Sequence, residues 1–193
     1  MTPPKEPKRG RPRDPATDIA ILTATIEELA SSGYENASIE AISRRSGTGK
    51  ATIYRRYPNK AELVVAAVNA QFEQANPAVP NTGDAVADLT TLVYNTARML
   101  TATPMGEVIR AIVPALPRDH LLASLIASFE KKRRQLMLDV LSAGVARGQF
   151  QVDDQQSTID ALLGAIYLRF LLLGKPVNRR YVHRVVNAVI VNG

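Results

Sequence analysis

The chain has 193 residues with 24 Lys plus Arg, 18 Asp plus Glu, two His and no Cys. That length supports one large or two small domains, and 46 % hydrophobic with 22 % charged residues is ordinary for a folded chain. The missing Cys excludes a disulfide framework, thiolate catalysis, Cys-ligated zinc and iron–sulfur clusters. His120 and His183 lie far apart with no carboxylate–His motif, so no metal, cofactor or catalytic constellation is expected.

Charge is unevenly placed. Residues 1–60 carry 11 basic and 7 acidic residues, net +4, against +2 for the remaining two thirds. Lys5, Lys8, Arg9, Arg11 and Arg13 form one basic group; Arg44, Arg45, Lys50, Arg55, Arg56 and Lys60 form another, interleaved with Tyr54 and Tyr57. Such clusters suit a polyanion, although a solvated surface gives the same composition. The N-terminus has no apolar signal-peptide core. The most apolar run, Ile159 to Gly174, is interrupted by Asp160 and Arg169. It falls short of the roughly 20 residues a membrane span needs. A cytoplasmic protein with no membrane partner is expected.

Residues 1–16 read as a flexible basic arm, because Pro3, Pro4, Pro7, Pro12 and Pro15 disfavour helix. A first helix is expected from Thr17 or Asp18, with Ile19, Leu22, Ile26, Leu29 and Ala30 on one face and Gly33 as its stop. Ser38 should cap a second helix, Ile39 to Arg45. Gly47-Thr48-Gly49 breaks the chain. A third helix runs from Lys50 to about Tyr57, stopped by Pro58. A fourth begins at Asn59 or Lys60 and buries Leu63, Val64, Ala67, Val68 and Phe72.

The run Ala75 to Gly83 is the expected domain border, dividing 17–76 from 77–193. Beyond it, apolar stripes predict helices over Val86–Leu100, Met105–Val113, Leu122–Leu141, Asp154–Leu173 and Asn178–Val191. No stretch alternates with period two. The fold class is all-α.

Residues 38–57 thus read helix, break, helix, the layout in which a second helix enters the DNA major groove. Ile53 should face inward and leave Lys50, Thr52, Tyr54, Arg55 and Arg56 around the outer sides. Gly47-Thr48-Gly49-Lys50 is not a P-loop. Arg44 stands where its first Gly belongs, and Ala51 follows the Lys where Ser or Thr is required.

The segment from Ser38 through Tyr54-Arg55-Arg56-Tyr57-Pro58-Asn59-Lys60 to Leu63 closely resembles the DNA-binding domain of TetR-family transcriptional regulators. The resemblance is strong over Thr17 to Phe72 and weaker beyond. It implies an N-terminal three-helix helix-turn-helix domain and a C-terminal helical domain for effector binding and dimerisation. Carried over by position, it implies DNA contacts at Ser38, Thr48, Lys50, Ala51 (through its backbone), Thr52, Tyr54, Arg55, Arg56 and Lys60. Thr48 replaces the usual small apolar residue and Gly49 the usual Ser cap, so the turn is expected to be less well anchored.

In the arm, Arg9-Gly10-Arg11-Pro12-Arg13 resembles an AT-hook core, whose Gly sits deep in a narrow minor groove flanked by Arg. The bland alternative is a basic tail that adds only counterion-release affinity.

The implied protein is a ligand-responsive repressor that binds a near-palindromic DNA operator as a homodimer through its last two helices. Those helices carry more apolar residues than solvent-facing ones should. The competing reading is an effector-independent architectural DNA-binding protein using the arm. For a small-molecule effector of unknown identity, the expected lining is Leu92, Tyr94, Met99, Met105, Ile109, Leu125 and Phe129. Arg133 falls on the stripe between Phe129 and Leu136, so its stem should meet the core or a pocket, which would suit an acidic effector. Asp154 reads as a helix cap rather than half of a dyad with Asp153.

Overall fold

The structure, a computed structural model, describes residues 14–190. Among them are nine α-helices and no strand: α1 (Pro15–Asn36), α2 (Ile39–Ser46), α3 (Lys50–Arg56), α4 (Lys60–Ala75), α5 (Ala85–Ala102), α6 (Met105–Ile112), α7 (His120–Ala146), α8 (Gln155–Tyr167) and α9 (Arg179–Val189). A 3-10 turn, Val113–Ala115, follows α6, and a π turn, Leu168–Leu172, extends α8. The all-α expectation holds. The arm residues Arg9, Gly10, Arg11, Pro12 and Arg13 lie outside the described residues.

Most helix starts carry a side-chain cap. Ser38, Asn59, Asp84, Asp119, Asp154 and Asn178 each accept a backbone N–H of the first turn. Helix α1 starts earlier than expected. Asp14, not Thr17 or Asp18, is its cap, and Pro15 occupies the first turn, where a missing N–H costs nothing. The chain bends at Gly33, whose φ of 77° suits glycine, and the following turn is closed by the Ala37 N–H on the Gly33 carbonyl. The inner face of α1 also differs from expectation. Ile21, Ala24, Ile26 and Leu29 are buried, whereas Ile19 is exposed.

Three apolar clusters organise the chain. The smallest joins Ile21 and Ala24 of α1, Ile39 and Ile42 of α2, Ile53 of α3 and Leu63 of α4. It fixes α3 through one fully buried residue, Ile53. The second joins α1 and α4 to α5, α6 and α7, with Phe72 and Phe129 meeting edge to face at 5.6 Å. The first four helices are therefore not a separate knob on the rest: α1 and α4 are walls of a shared core. The third cluster packs α5, α7, α8 and α9 around Phe150 and Leu162.

Val182 and Val186 of α9, with Ile190 just beyond its end, are buried inside the chain's own core. Its outer positions, Arg180, His183, Arg184 and Asn187, are polar and exposed. Much of its apolar content is thus taken up within the chain. Helix α8 differs. Its outer positions Ala161 and Gly164 are small, and Leu168 and Leu172 beyond them are exposed. No helix among the described residues is long and apolar enough to cross a membrane.

Candidate functional site

The α2–α3 turn is built from Gly47 and Ser43. Gly47 adopts φ 66°, a left-handed conformation that closes α2. The Thr48 N–H donates to the Ser43 carbonyl at 3.2 Å, and the Ser43 hydroxyl donates to the Thr48 carbonyl at 2.7 Å. The turn is thus well anchored, which corrects the expectation drawn from Thr48 and Gly49. The anchor is Ser43, one helical turn earlier, and a side chain that reaches back across a turn leaves no mark in local spacing. The Gly49 expectation holds in one respect: no side chain caps α3. Thr48 itself is half-buried and held by the turn.

Helix α3 presents a clear outer face. Lys50, Ala51, Tyr54 and Arg55 are exposed, Thr52 is half-buried, and Ile53 lies opposite. Ser38 is exposed beside them, with its hydroxyl committed to capping α2 at Ala41 N–H, 3.1 Å. Lys50 and Arg44 both pair with Glu40, at 3.3 and 3.2 Å. All three side chains are more than half exposed, so these pairs are weak and easily exchanged for phosphate.

Two basic residues stand apart from that face. The Arg56 side chain is only 10 % exposed and pairs with Asp18 of α1, and the Tyr57 hydroxyl donates to the same carboxylate at 3.4 Å. Arg56 therefore ties the end of α3 to α1. The Lys60 ammonium donates to the carbonyls of Tyr34, at 2.8 Å, and Ala37, at 3.4 Å, and stands 4.4 Å from the Tyr34 ring centre. It closes the α1–α2 corner from the start of α4. Arg45 is held similarly, by Glu28 at 3.1 Å and Glu27 at 3.7 Å.

A second feature lies in the helical layer beyond. An apolar cavity of about 190 Å³ is lined by Val68 of α4, Met99 of α5, Ile109 and Ile112 of α6, Phe129 and Arg133 of α7, and Tyr167 of α8. Of the seven expected lining residues, Met99, Ile109 and Phe129 meet there. The other four do not. Leu92 is buried in the α5–α9 core, and Tyr94 packs beside it with the Arg179 guanidinium 5.9 Å from its ring centre. Met105 is fully buried in the shared core, and Leu125 packs against that core without reaching the cavity. A larger cleft, about 490 Å³, has a mixed lining, with Gln71, Gln74, Asn95 and Arg98 facing it beside Ala75, Met99 and Pro104.

Arg133 does reach the cavity. Its side chain is 3 % exposed and its guanidinium pairs with Glu130 at 2.6 Å. Burial works against its charge, but the Tyr167 hydroxyl and the Glu130 carboxylate outweigh it, and the guanidinium pKa is raised. Burial likewise pushes the Tyr167 hydroxyl up, against the pull of Arg133. The Arg133 Nε–H is buried and has no acceptor among the described residues. Its basic neighbours sit outside, Lys131 and Lys132 in solvent and Arg134 on Asp160 at 2.7 Å.

Asp154 caps α8. Asp119, not the exposed His120, caps α7, and His183 lies on the outer face of α9, 3.2 Å from Asn187.

Comparison with known proteins matches both halves of the chain. Residues 21–67 match the model of bacterial regulatory proteins of the tetR family, and residues 79–189 match the tetracyclin repressor-like C-terminal domain. The HTH-type transcriptional regulator YdeS of Bacillus subtilis is 35 % identical over 93 % of this chain and 90 % of its own length. The DNA-binding transcriptional repressor TetR of Mycobacteroides abscessus is 28 % identical over 93 % and 94 %. The crystal structure of the TetR family transcription regulator SCO0332 superposes with a TM-score of 0.69 at 30 % identity, covering 90 % of this chain and 96 % of that one. The chain belongs to the TetR family of DNA-binding transcriptional regulators.

Proposed function

We propose that the protein is a cytoplasmic, effector-responsive repressor that binds a near-palindromic operator as a homodimer. Residues 17–76 would read DNA, and residues 77–193 would bind effector and dimerise. The observation that carries the reading is the polarity of α3: Ile53 is fully buried while Lys50, Tyr54 and Arg55 face outward together. Arg forks suit guanine edges, and Lys and Tyr suit phosphate. Ser38, Thr48, Ala51 and Thr52 border this face. Arg56 and Lys60, in contrast, act here as struts that hold its angle.

Two-fold symmetry would set the recognition helices about one helical turn, roughly 34 Å, apart. The outer stripe of α8, small residues followed by Leu168 and Leu172, supports dimerisation through a helix that a partner helix can approach closely. Helix α9 would supply a polar border to that contact. The cavity supports effector control, because Val68 of α4 is one of its walls and α4 begins at Lys60 beside the DNA-binding corner. A ligand that favours one packing of these helices shifts the population toward one half-site spacing.

The test is selection of bound sequences from random duplexes at about 150 mM salt, where non-specific binding is suppressed. A palindromic consensus supports the dimeric repressor. Enrichment of AT-rich duplexes without symmetry would replace it with an architectural role for the basic arm.

A further inference from the structure

Arg133 is the one cavity residue whose charge is almost wholly buried, and it is incompletely satisfied. Glu130 takes one terminal nitrogen at 2.6 Å, Tyr167 stands beside the guanidinium, and Nε–H has no acceptor among the described residues. A buried donor without a partner is unfavourable, so an oxygen placed against it is favoured. The rest of the wall, Val68, Met99, Ile109, Ile112 and Phe129, is apolar. The space of about 190 Å³ is of the order that accepts one benzene-sized ring.

Charge balance decides the head group. Glu130 already neutralises Arg133, so a carboxylate ligand would set two anions against one cation in an apolar surround. A neutral carbonyl or ether oxygen satisfies Nε–H without that cost. We infer that the cavity binds a small neutral ring compound carrying one acceptor oxygen, recognised by the Arg133 Nε–H with Glu130 left in place. This rests on the effector reading above and replaces the acidic effector that Arg133 alone suggests.

Three probes of similar size separate the possibilities: acetophenone, benzoate and ethylbenzene. Their affinities for the full-length protein are read by calorimetry, and their location by methyl shifts of Met99, Ile109 and Ile112. Acetophenone should bind at least about tenfold tighter than ethylbenzene, the usual return on a hydrogen bond to a charged group. Benzoate should bind more weakly than acetophenone. Arg133→Met keeps the side-chain volume and should erase the acetophenone preference while ethylbenzene still binds, which also shows the cavity intact. Glu130→Gln should leave acetophenone near wild type and strengthen benzoate.

Benzoate as the tightest wild-type probe would overturn the inference, as would equal binding of acetophenone and ethylbenzene. So would a preference that survives Arg133→Met, or no cavity shift with any probe. A separate operator-binding assay keeps the two readings distinct. Acetophenone that fills the cavity but leaves the operator complex intact would refute effector control and leave the recognition chemistry standing.

Discussion

The Tyr34 hydroxyl donates a 2.6 Å hydrogen bond to Oδ2 of Asp119 across 85 positions of sequence. Asp119 uses its other oxygen to cap α7 at the Leu122 N–H, 2.9 Å. Tyr34 also offers its carbonyl and ring to Lys60. The pair thus joins the end of α1 and the start of α4 to the start of α7, the helix that carries Phe129 and Arg133 into the cavity. Burial and then the Asp119 bond push the Tyr34 hydroxyl pKa up; the Leu122 amide and then Tyr34 hold Asp119 below its ordinary value of 3.8. Tyr34→Phe should cost about 1–2 kcal/mol at pH 7, a charged hydrogen bond discounted for the solvent around Asp119. A carboxyl depressed in the folded state stabilises above its unfolded pKa and loses that contribution as pH falls through the lower folded value. The gap between wild type and Tyr34→Phe in urea titrations should therefore stay open above about pH 4 and narrow below it. A gap independent of pH would assign the loss to packing alone.

Arg55 and Arg56 are neighbours with opposite duties. Arg55 is exposed on the outer face of α3; Arg56 is turned toward Asp18. Arg55→Ala should leave the melting temperature unchanged and weaken the selected operator about tenfold or more, as loss of a base-reading Arg does. Arg56→Ala should lower stability by about 1–2 kcal/mol, because a largely buried cation and its partner are separated in a site that retains some solvent. Asp18→Asn should reproduce that loss. Stable Arg56→Ala protein that no longer binds DNA would instead make Arg56 a direct contact.

Glu40 pairs with both Arg44 and Lys50, so in the proposed complex it would compete with DNA for them. Both cations would have to leave it to meet phosphate, and the carboxylate would then face a polyanion. Glu40→Gln should therefore raise operator affinity about threefold at low salt, the worth of exposed ion pairs of this kind. The gain should fade toward 1 M salt, where the Debye length is about 3 Å. Affinity measured across a salt series checks both the sign and the fading; unchanged or weaker binding at low salt would mean that Glu40 is needed to orient Lys50.

The helices were legible because period and punctuation agree. Ser38, Asp154 and Asn178 mark starts, Gly33 and Gly47 mark breaks, and the stripe Leu63, Val64, Ala67, Val68, Phe72 is buried as its spacing predicts. Failures came where tertiary contacts decide. Pro15 reads as part of a proline-rich arm, yet with Asp14 before it Pro15 opens α1. Ile19 shares the helical stripe but finds nothing to cover it. In seven-residue α3, phase alone could not separate Arg55 from Arg56, because Asp18 lies on another helix. The cavity was only partly legible for the same reason: its walls come from five helices, and Tyr167 stands 34 positions after Arg133. Leu92 and Met105 have the right chemistry for a lining but are packed solid.

The turn before α3 supplies the last prediction. Ser43 clasps Thr48, and Gly47 supplies the left-handed residue that lets the clasp close. Gly47→Ala should cost about 1–2 kcal/mol, since a Cβ is unfavourable at φ 66°. Gly47→Asn should cost less, because Asn enters that conformation more readily. Nothing lies within 4 Å of the added Cβ, so the penalty is conformational rather than steric against neighbours. Ser43→Ala should lose about 1 kcal/mol and also weaken operator binding, because the clasp holds the entry angle of α3. Melting curves and operator titrations of the three variants give the check. If Gly47→Ala and Gly47→Asn are equally destabilised, backbone conformation is not the cause. If Ser43→Ala binds operator as wild type does, Ile53 alone suffices to orient the helix.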